Sequence, residues 1–376
     1  MTVILFLLTV APLTLIIYSV VEYLIDTKNL RAFSSPEIAG LSDLWALRYH
    51  WTNSRYRAVH DAHRMLGPIA RIQPRHLSFT DPRALKDIYG YSSSIMKAPS
   101  YDNIAGEYHD VANATDRAEH SRKRRIMSHV SSHKHILTME ELIDDVLGSL
   151  VKALDERLDQ QLDLRYWFNL FTFDAISNLA FSQPFNFLET GSDLTLCHYT
   201  GGSTNSVNLT DPMPYGEQVA EAGIMLNAGS DTTASGLTNT LFLLATHPDT
   251  LAKLRRELYA SMAPDAIMPD FNESLRLRPP VAIGLPRVAP AEGSTICGHF
   301  IPAGVTVSVP ILELNRHPGL FPRPDGFDPD RWFDDTQLPN LKEYAVELLQ
   351  DELAFVERFN MNPGAYQVRL TPRQGT

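Results

Sequence analysis

Two cysteines in 376 residues, Cys197 and Cys297, are too few and too far apart for a disulfide framework or a spaced thiolate metal site. A chain so poor in cysteine fits a reducing compartment. Basic charge is also short. Lys and Arg number 33 against 44 Asp and Glu, and the net charge of -11 argues against nucleic acid as a partner. No internal repeat and no low-complexity tract is present, so neither a solenoid nor a disordered array is expected. What is present is ordinary: 44% hydrophobic and 20% charged residues can bury a sizeable core.

The absence of charge is sharpest at the N-terminus. From Thr2 to Val21 there is none, and the run VILFLLTVAPLTLIIYSVV is long enough to span a bilayer. A cleaved signal peptide would want a basic start, a shorter apolar core and a small-residue cleavage site. A buried core helix is the plainer alternative. Lys28 and Arg31 follow the run and no Lys or Arg precedes it. The expectation is therefore a single-pass anchor over 2–21, with the bulk of the chain on the cytoplasmic side.

Beyond it, residues 22–66 read as a linker leading into the main domain, 67–376. GPIARIQPRHLSFT reads as two half-buried strands around a turn at Gln73–Pro74–Arg75. In DPRALKDIYG, Asp81 can cap a helix and Gly90 can stop it. From Arg117 to Phe181 the apolar spacing is mostly helical. Ser182–Tyr215, rich in Gly, Ser, Thr and Pro, reads as an unusually long loop. STICGHFIPAGVTVSVPIL reads as strand, turn, strand, and LKEYAVELLQDELAFVERF as an amphipathic helix before a short strand in AYQVRLTP.

Three constellations stand out. NAGSDTTASG, Asn227–Gly236, places polar residues between apolar helical flanks. Asp231 or Thr232 could cap a helix starting at Ala234. Alternatively the helix is continuous with a polar notch, its hydroxyls bonded back to the preceding turn, with Gly229 admitting a ligand close to the backbone. In ESLR, Glu273 and Arg276 share one helix face, where an exposed ion pair would be worth little. In FDPDRW, Arg331 sits between an acid and a tryptophan. The basic run Arg122–Arg125 is a solvated helix face or a targeting patch.

In this order, AGxDTT, then ExxR before RPP, then TICGHFIPAGVTVSV, then FPRPDGFDPDRW, the chain resembles the cytochrome P-450 family, most of all its membrane-anchored fungal members of secondary metabolism. GPIARIQPRHLSFTDPRALKDIYG and DRAEHSRKRRIMSHVSS are similar to the same group, so the resemblance runs from about Gly67 to Arg369. It implies a mostly α fold with a small β region behind one transmembrane helix. It also implies a haem cofactor, an NADPH-dependent reductase, a small lipophilic substrate, and an endoplasmic-reticulum membrane location. Asp231 and Thr232 match the acid–alcohol pair that delivers protons during oxygen activation. Glu273, Arg276 and Arg331 match a buried ion triad. His120, Arg124 and Arg287 match residues that hold the haem propionates, where an Arg–carboxylate bond is charge-assisted. On the same resemblance, the Arg122–Arg125 face is where a reductase docks.

The chain departs from the family where it matters most. The Gly-rich loop carrying the axial cysteine is missing: NLKEYAV runs straight into ELLQDELAF at 346–347. Cys297 in TICGHF matches a strand remote from the iron, and Cys197 lacks the loop's context, so no metal ligand is assigned. Two further stretches look shortened, near 188–214 and 259–270. Three readings follow: an inactive relative, an active monooxygenase whose gene model has lost segments, or a non-catalytic membrane-anchored binding or scaffold protein.

Overall fold

Pro74 cannot donate to a strand ladder, and the chain turns there. The computed structural model describes residues 2–130, 139–181, 185–192, 213–261, 272–332 and 367–369. Among them the architecture is mostly helical with small sheets, as expected. The contacts divide the chain into two compact units. The first is Met1–Pro99 with Ala282–Pro324, and the second is Ser100–Val281 with Asp325–Thr376.

The first unit is built on a five-stranded sheet. Strands β1 (Ile69–Gln73) and β2 (His76–Phe79) form the expected hairpin, pairing Ile69 with Phe79. The sheet continues through β8 (Thr306–Ser308), β5 (Arg287–Val288) and β3 (Met96–Lys97), in the order β1-β2-β8-β5-β3. The β2–β8 pair is parallel and the others antiparallel. The separate hairpin of β6 (Ser294–Ile296) and β7 (His299–Ile301) turns at Cys297–Gly298, both with positive φ, the geometry of a tight hairpin turn. STICGHFIPAGVTVSVPIL thus holds three strands rather than two.

The half-buried alternation expected for β1 and β2 is a misreading: every residue of β2 is buried. The polar ones are satisfied internally. Arg71 donates through Nε and Nη2 to the Pro74 carbonyl (3.1 and 2.7 Å). His63, buried on helix α3 (Arg55–Leu66), bridges the Gly67 carbonyl and the Ser78 hydroxyl. Gln73 Oε1 accepts from Arg55, which sets the His76 tautomer: Nδ1–H donates to Gln73 (3.1 Å) and Nε2 accepts from Ser308 (2.8 Å). Burial drops the His76 imidazole to about 3, with the Arg55 charge adding.

That shift has a signed consequence. Unfolded His76 takes a proton below about 6.5, while the folded ring refuses it down to about 3. Stability is therefore expected to fall with acid by about 1.4 kcal/mol per pH unit for this group between those limits. Urea unfolding at pH 6 and pH 4 checks it. His76→Asn, whose amide cannot titrate, should show a shallower acid slope by that amount. Equal slopes would refute it.

Residues 22–66, read from the sequence as a linker and entry to the main domain, pack into this unit. Helices α2 (Leu44–Trp51) and α3 bury Trp45, Ala46, Ala58, Val59 and Ala62 against Ala70 and Ile72 of β1. Helix α4 (Arg83–Tyr89) begins as expected, with Asp81 Oδ1 accepting the Arg83 N–H at 2.9 Å, and stops at Gly90.

Helix α1 is continuous over Thr2–Ile25. Its last turn is fastened to the hairpin: Glu22 pairs with Arg75 at 2.6 Å, and the Tyr23 ring lies under both Arg31 (5.7 Å) and Arg71 (5.6 Å). Asp26 then accepts the Leu30 and Arg31 amides. From Leu13 to Ile25 the large apolar side chains, Leu15, Ile16, Ile17 and Leu24 among them, are exposed. Among the residues whose side chains are described, no helix is long and apolar enough to cross a membrane. In α1 those begin at Leu13, so the expected anchor over 2–21 falls largely outside them.

The second unit is helical. It contains α5 (Arg117–Val130), α6 (Glu140–Asp155), α7 (Leu164–Phe181), α8 (Phe187–Thr190), α9 (Tyr215–Thr246), α10 (Pro248–Ser261) and α11 (Asn272–Leu277). Val146 and Leu150 of α6 pack with Trp167 and Leu170 of α7 and Phe187 and Leu188 of α8. The buried Asp174 carboxylate satisfies the start of α8 by accepting the Phe187 and Leu188 amides at 3.0 and 2.9 Å. Strand β4 (Gln161–Asp163) interrupts the helical stretch and pairs with β9 (Gln367–Arg369), the short strand expected near the C-terminus. The helix expected over 341–359, the shortened stretch near 346–347 and most of the one near 259–270 lie outside the described residues. So does most of the stretch near 188–214.

Candidate functional site

The polar stretch 227–236 does not break its helix. Helix α9 runs unbroken from Tyr215 to Thr246, which excludes the cap reading of Asp231 and Thr232. The hydroxyls of Ser230, Thr232 and Thr238 are satisfied within the helix. Thr232 Oγ1 donates to the Ala228 carbonyl (2.8 Å), Ser230 Oγ to Leu226 (2.5 Å) and Thr238 Oγ1 to Ala234 (2.7 Å). Back-bonding of this kind lets a helix carry polar residues without exposing bare donors.

Gly229 serves a different purpose from the one expected. A side chain there would meet Ile176 Cδ1 of α7 at 2.1 Å, so the space is taken by a neighbouring helix rather than left for a ligand. Gly236, two turns on and on the same stripe, faces Leu275 of α11 at 3.5 Å. Gly229 lets α7 pack closely on α9, whereas a Cβ at Gly236 would meet Leu275 of α11 only at ordinary contact distance. Asp231 lies roughly 200° round from Gly229, away from that packing stripe, whereas Thr232, only about 60° off it, borders the stripe. Both are part-exposed, and among the described residues Asp231 has no hydrogen-bond or ion-pair partner.

Glu273, Arg276 and Arg331 come together as the sequence suggested. All three are 1–3% exposed. Glu273 Oε1 accepts from Arg276 Nη2 (2.7 Å) and Arg331 Nε (3.1 Å), and Oε2 accepts from Arg276 Nε (2.9 Å). Two partners were not foreseen. The Asp328 amide donates to Oε1 and the Trp332 indole to Oε2, both at 3.0 Å. Arg276 Nη2 also donates to the Gly326 carbonyl at 3.0 Å. Burial alone would raise the Glu273 carboxyl, but Arg276, the Asp328 amide and Arg331 together hold it below the usual range. The carboxylate therefore fixes the segment Gly326–Trp332 onto α11. Only Arg331 of that segment was singled out from the sequence, although Trp332 stands beside it.

His120 and Arg124 are one turn apart on a single part-buried face of α5. Arg287 belongs to the first unit, on β5. Its Nη1 donates to the Pro286 carbonyl at 3.2 Å, and its guanidinium lies 5.1 Å from the centre of the Tyr89 ring. Tyr89 in turn ties two chain segments together, donating its hydroxyl hydrogen to the Leu285 carbonyl (2.8 Å) and accepting the Val309 amide (3.1 Å).

The basic run on α5 is not the open docking face expected from the sequence. Lys123 is fully buried and Arg122 is paired with Glu217 at 2.5 Å, which leaves Arg125 as the exposed member.

A haem needs cationic partners for its propionates and a ligand for its iron. For the propionates the residues fit: Arg124 supplies a cation and His120 an imidazole on one part-buried face. For the iron, Cys297 does not fit. It occupies a hairpin turn at φ 50, its amide donates to Asp87 at 2.8 Å, and burial, with Asp81 and Asp87 nearby, pushes its thiol up to about 11. An axial thiolate wants the opposite shift. Cys197 lies outside the described residues.

The Cytochrome P-450 family model matches residues 44–216 and 204–346. Cytochrome P-450 monooxygenase notG' of Aspergillus versicolor is 27% identical over 385 aligned positions, covering 84% of this chain and 70% of that protein. Benzoate 4-monooxygenase bphA of Aspergillus niger is 26% identical over 422, covering 85% and 81%. Tryprostatin B 6-hydroxylase of Aspergillus fumigatus is 26% identical over 405, covering 89% and 70%. The crystal structure of the cytochrome P-450DA haem domain superposes with a TM-score of 0.71 at 17% identity, over 91% of this chain and 98% of that one.

Proposed function

The chain belongs to the cytochrome P-450 family, and from that premise we propose that it retains the proton-delivery and core elements of a haem-thiolate monooxygenase but, as written, performs no oxygen insertion. The observation that carries this reading is the closed Glu273–Arg276–Arg331 triad in a chain whose one described cysteine, Cys297, does not fit an axial thiolate. Its relatives are haem-dependent fungal monooxygenases. In them the haem supplies the oxidising iron centre, and a reductase supplies the electrons.

The chain's own residues have definite roles in this reading. Asp231 stands on the part-exposed face of α9, one residue from the Thr232 hydroxyl, as the acid of the proton-delivery pair. His120, Arg124 and Arg287 bind and orient carboxylates. The triad keeps Gly326–Trp332 in place. The substrate class is a small lipophilic metabolite. Helix α1 supports a single-pass location in the endoplasmic-reticulum membrane with the main domain cytoplasmic, since its described side chains leave an apolar surface uncovered. Carbonate extraction of membranes should leave the full chain in the pellet and release a chain lacking 1–25.

A second reading has its own support. The alignment to the benzoate 4-monooxygenase runs over 422 positions, more than the 376 residues of the whole chain, while using 85% of it. That relative carries residues with no counterpart here. Missing internal segments, the axial loop among them, suit a gene model that has skipped coding sequence.

Two measurements separate the readings. The chain as written is expected to give no thiolate-type carbon-monoxide difference spectrum after incubation with hemin and reduction; such a spectrum would overturn the proposal. The full-length transcript is then read between Val346 and Glu347. A Gly-rich, cysteine-containing loop in frame establishes the active monooxygenase, whereas an unaltered junction leaves a role in binding alone.

A further inference from the structure

A fully buried lysine is rare unless it is paired, and Lys123 is 0% exposed at the middle of α5. Its ammonium donates to the His109 carbonyl (2.8 Å) and to Glu217 Oε2 (2.7 Å). It also stands 3.6 Å from Glu221 Oε1 and 3.9 Å from Glu119 Oε1. Glu217 and Glu221 are one turn apart near the start of α9, so one face of α9 grips one side chain of α5. The loop that supplies the His109 carbonyl is stiff. The Asp110 carboxylate accepts the Ala112 amide, the Asn113 amide and Asn113 Nδ2, while Asn113 Oδ1 accepts the Asp110 amide.

The two glutamates are not equivalent. Burial would raise Glu217, but hydrogen bonds from Lys123 and Arg122 hold it below the usual carboxylate range. Glu221 is 4% exposed and neither of its oxygens makes a full hydrogen bond, although the Val111 amide and the Lys123 ammonium face it. Burial pushes its carboxyl up to about 7, opposed by Val111 and Lys123 and aided by the Asp110 charge.

We propose that Lys123 is a positioning residue: gripped by Glu217 and the His109 carbonyl and flanked by the buried Glu221 carboxyl, it sets the rotation of α5 against α9, and so the direction of the His120–Arg124 pair, with Glu221 as the proton-operated release. This rests on the reading of His120 and Arg124 as a propionate-binding pair. Lys123 lies roughly 60° and 100° round α5 from those two residues, so a turn that frees it carries both away. The groups facing Glu221 are Lys123 from α5, Val111 and Asp110 from the loop before it, and Glu217 on its own helix. The sign of the release follows from burial. In the closed arrangement Glu221 stays protonated up to about 7, whereas once hydrated it ionises near the ordinary 4.5. Rising pH between those values favours the arrangement that lets water reach it.

The test is amide hydrogen exchange on the full chain at pH 5 and pH 8, corrected for intrinsic rates, beside hemin titrations. Protection of α5 and of the first turns of α9 should fall on the order of 100-fold from pH 5 to pH 8 in the natural chain. Glu221→Gln should be flat. Lys123→Met should be poorly protected in α5 at both pH values and should weaken hemin binding in the same direction as Arg124→Ala. If Lys123→Met does not fold, the contrast between Glu221→Gln and the natural chain decides alone. Equal pH dependence in those two chains overturns the proposal. If that happens while Arg124→Ala still weakens hemin binding, the clamp is wrong and the propionate reading stands. If the contrast holds but Arg124→Ala binds hemin unchanged, the clamp stands as a hinge between helices and the propionate reading fails.

Discussion

Glu273→Ala is expected to destabilise the second unit by about 3–5 kcal/mol, because it strands two guanidinium groups inside the protein. The cost is not that of one ion pair. Arg276 and Arg331 are each 2–3% exposed, and the Asp328 amide and Trp332 indole lose their acceptor at the same time. An exposed Glu–Arg pair at this spacing would be worth a few tenths of a kcal/mol. Chemical denaturation of the natural chain and the variant reads the difference. A loss under 1 kcal/mol would mean that water replaces the carboxylate, and the triad would then not be the lock described above. The same group predicts acid sensitivity. Its carboxyl is held below the unfolded value of 4.5, so its contribution is complete above that pH and is lost as pH falls through the folded value.

Gly284→Ala should be nearly as damaging, at about 3 kcal/mol. A Cβ there would sit 2.3 Å from the Val309 oxygen, 2.5 Å from its carbonyl carbon and 2.7 Å from its nitrogen. All three atoms are backbone, so no side-chain rotation relieves the clash, and the two segments must part. They are the ones that the Tyr89 hydroxyl joins through Leu285 and Val309. Separation also moves β5, which carries Arg287. Tyr89→Phe keeps the ring and removes the bridge, and should cost about 1–3 kcal/mol, the price of one buried amide left bare. Thermal unfolding of both variants checks the order. Gly284→Ala at natural stability would show that the close approach is slack.

The contrast between these positions explains what could be read in advance. Glu273, Arg276 and Arg331 were legible because the first two share a helix turn and the third sits in a recognisable segment. Trp332 was not, since an indole donor gives no sign of an acceptor 59 positions away. Lys123 sits in a basic run that looks solvated, and its burial depends on Glu217 and Glu221 nearly a hundred residues away. The alternation in β1 and β2 misled because β8 joins β2 on its far edge and buries His76 and Ser78 as well. At Asp231 the local rules for a cap and for a continuous helix are the same, and only the packing of α9 chose between them. Gly229 announced a close approach without naming who makes it; the partner is Ile176 of α7.

The fastening of α1 bears on mechanics as well as on location. With Glu22 pinned to Arg75 and Tyr23 held by Arg31 and Arg71, the last turn of that helix has no swivel before the sheet begins. It acts as a lever arm and not as a leash. Whatever surface receives the helix, its tilt is transmitted to the first unit, which would then drift and rock with the helix instead of tumbling at the end of a tether. Cutting the Arg75 and Arg71 contacts would restore that tumbling without changing where the protein resides.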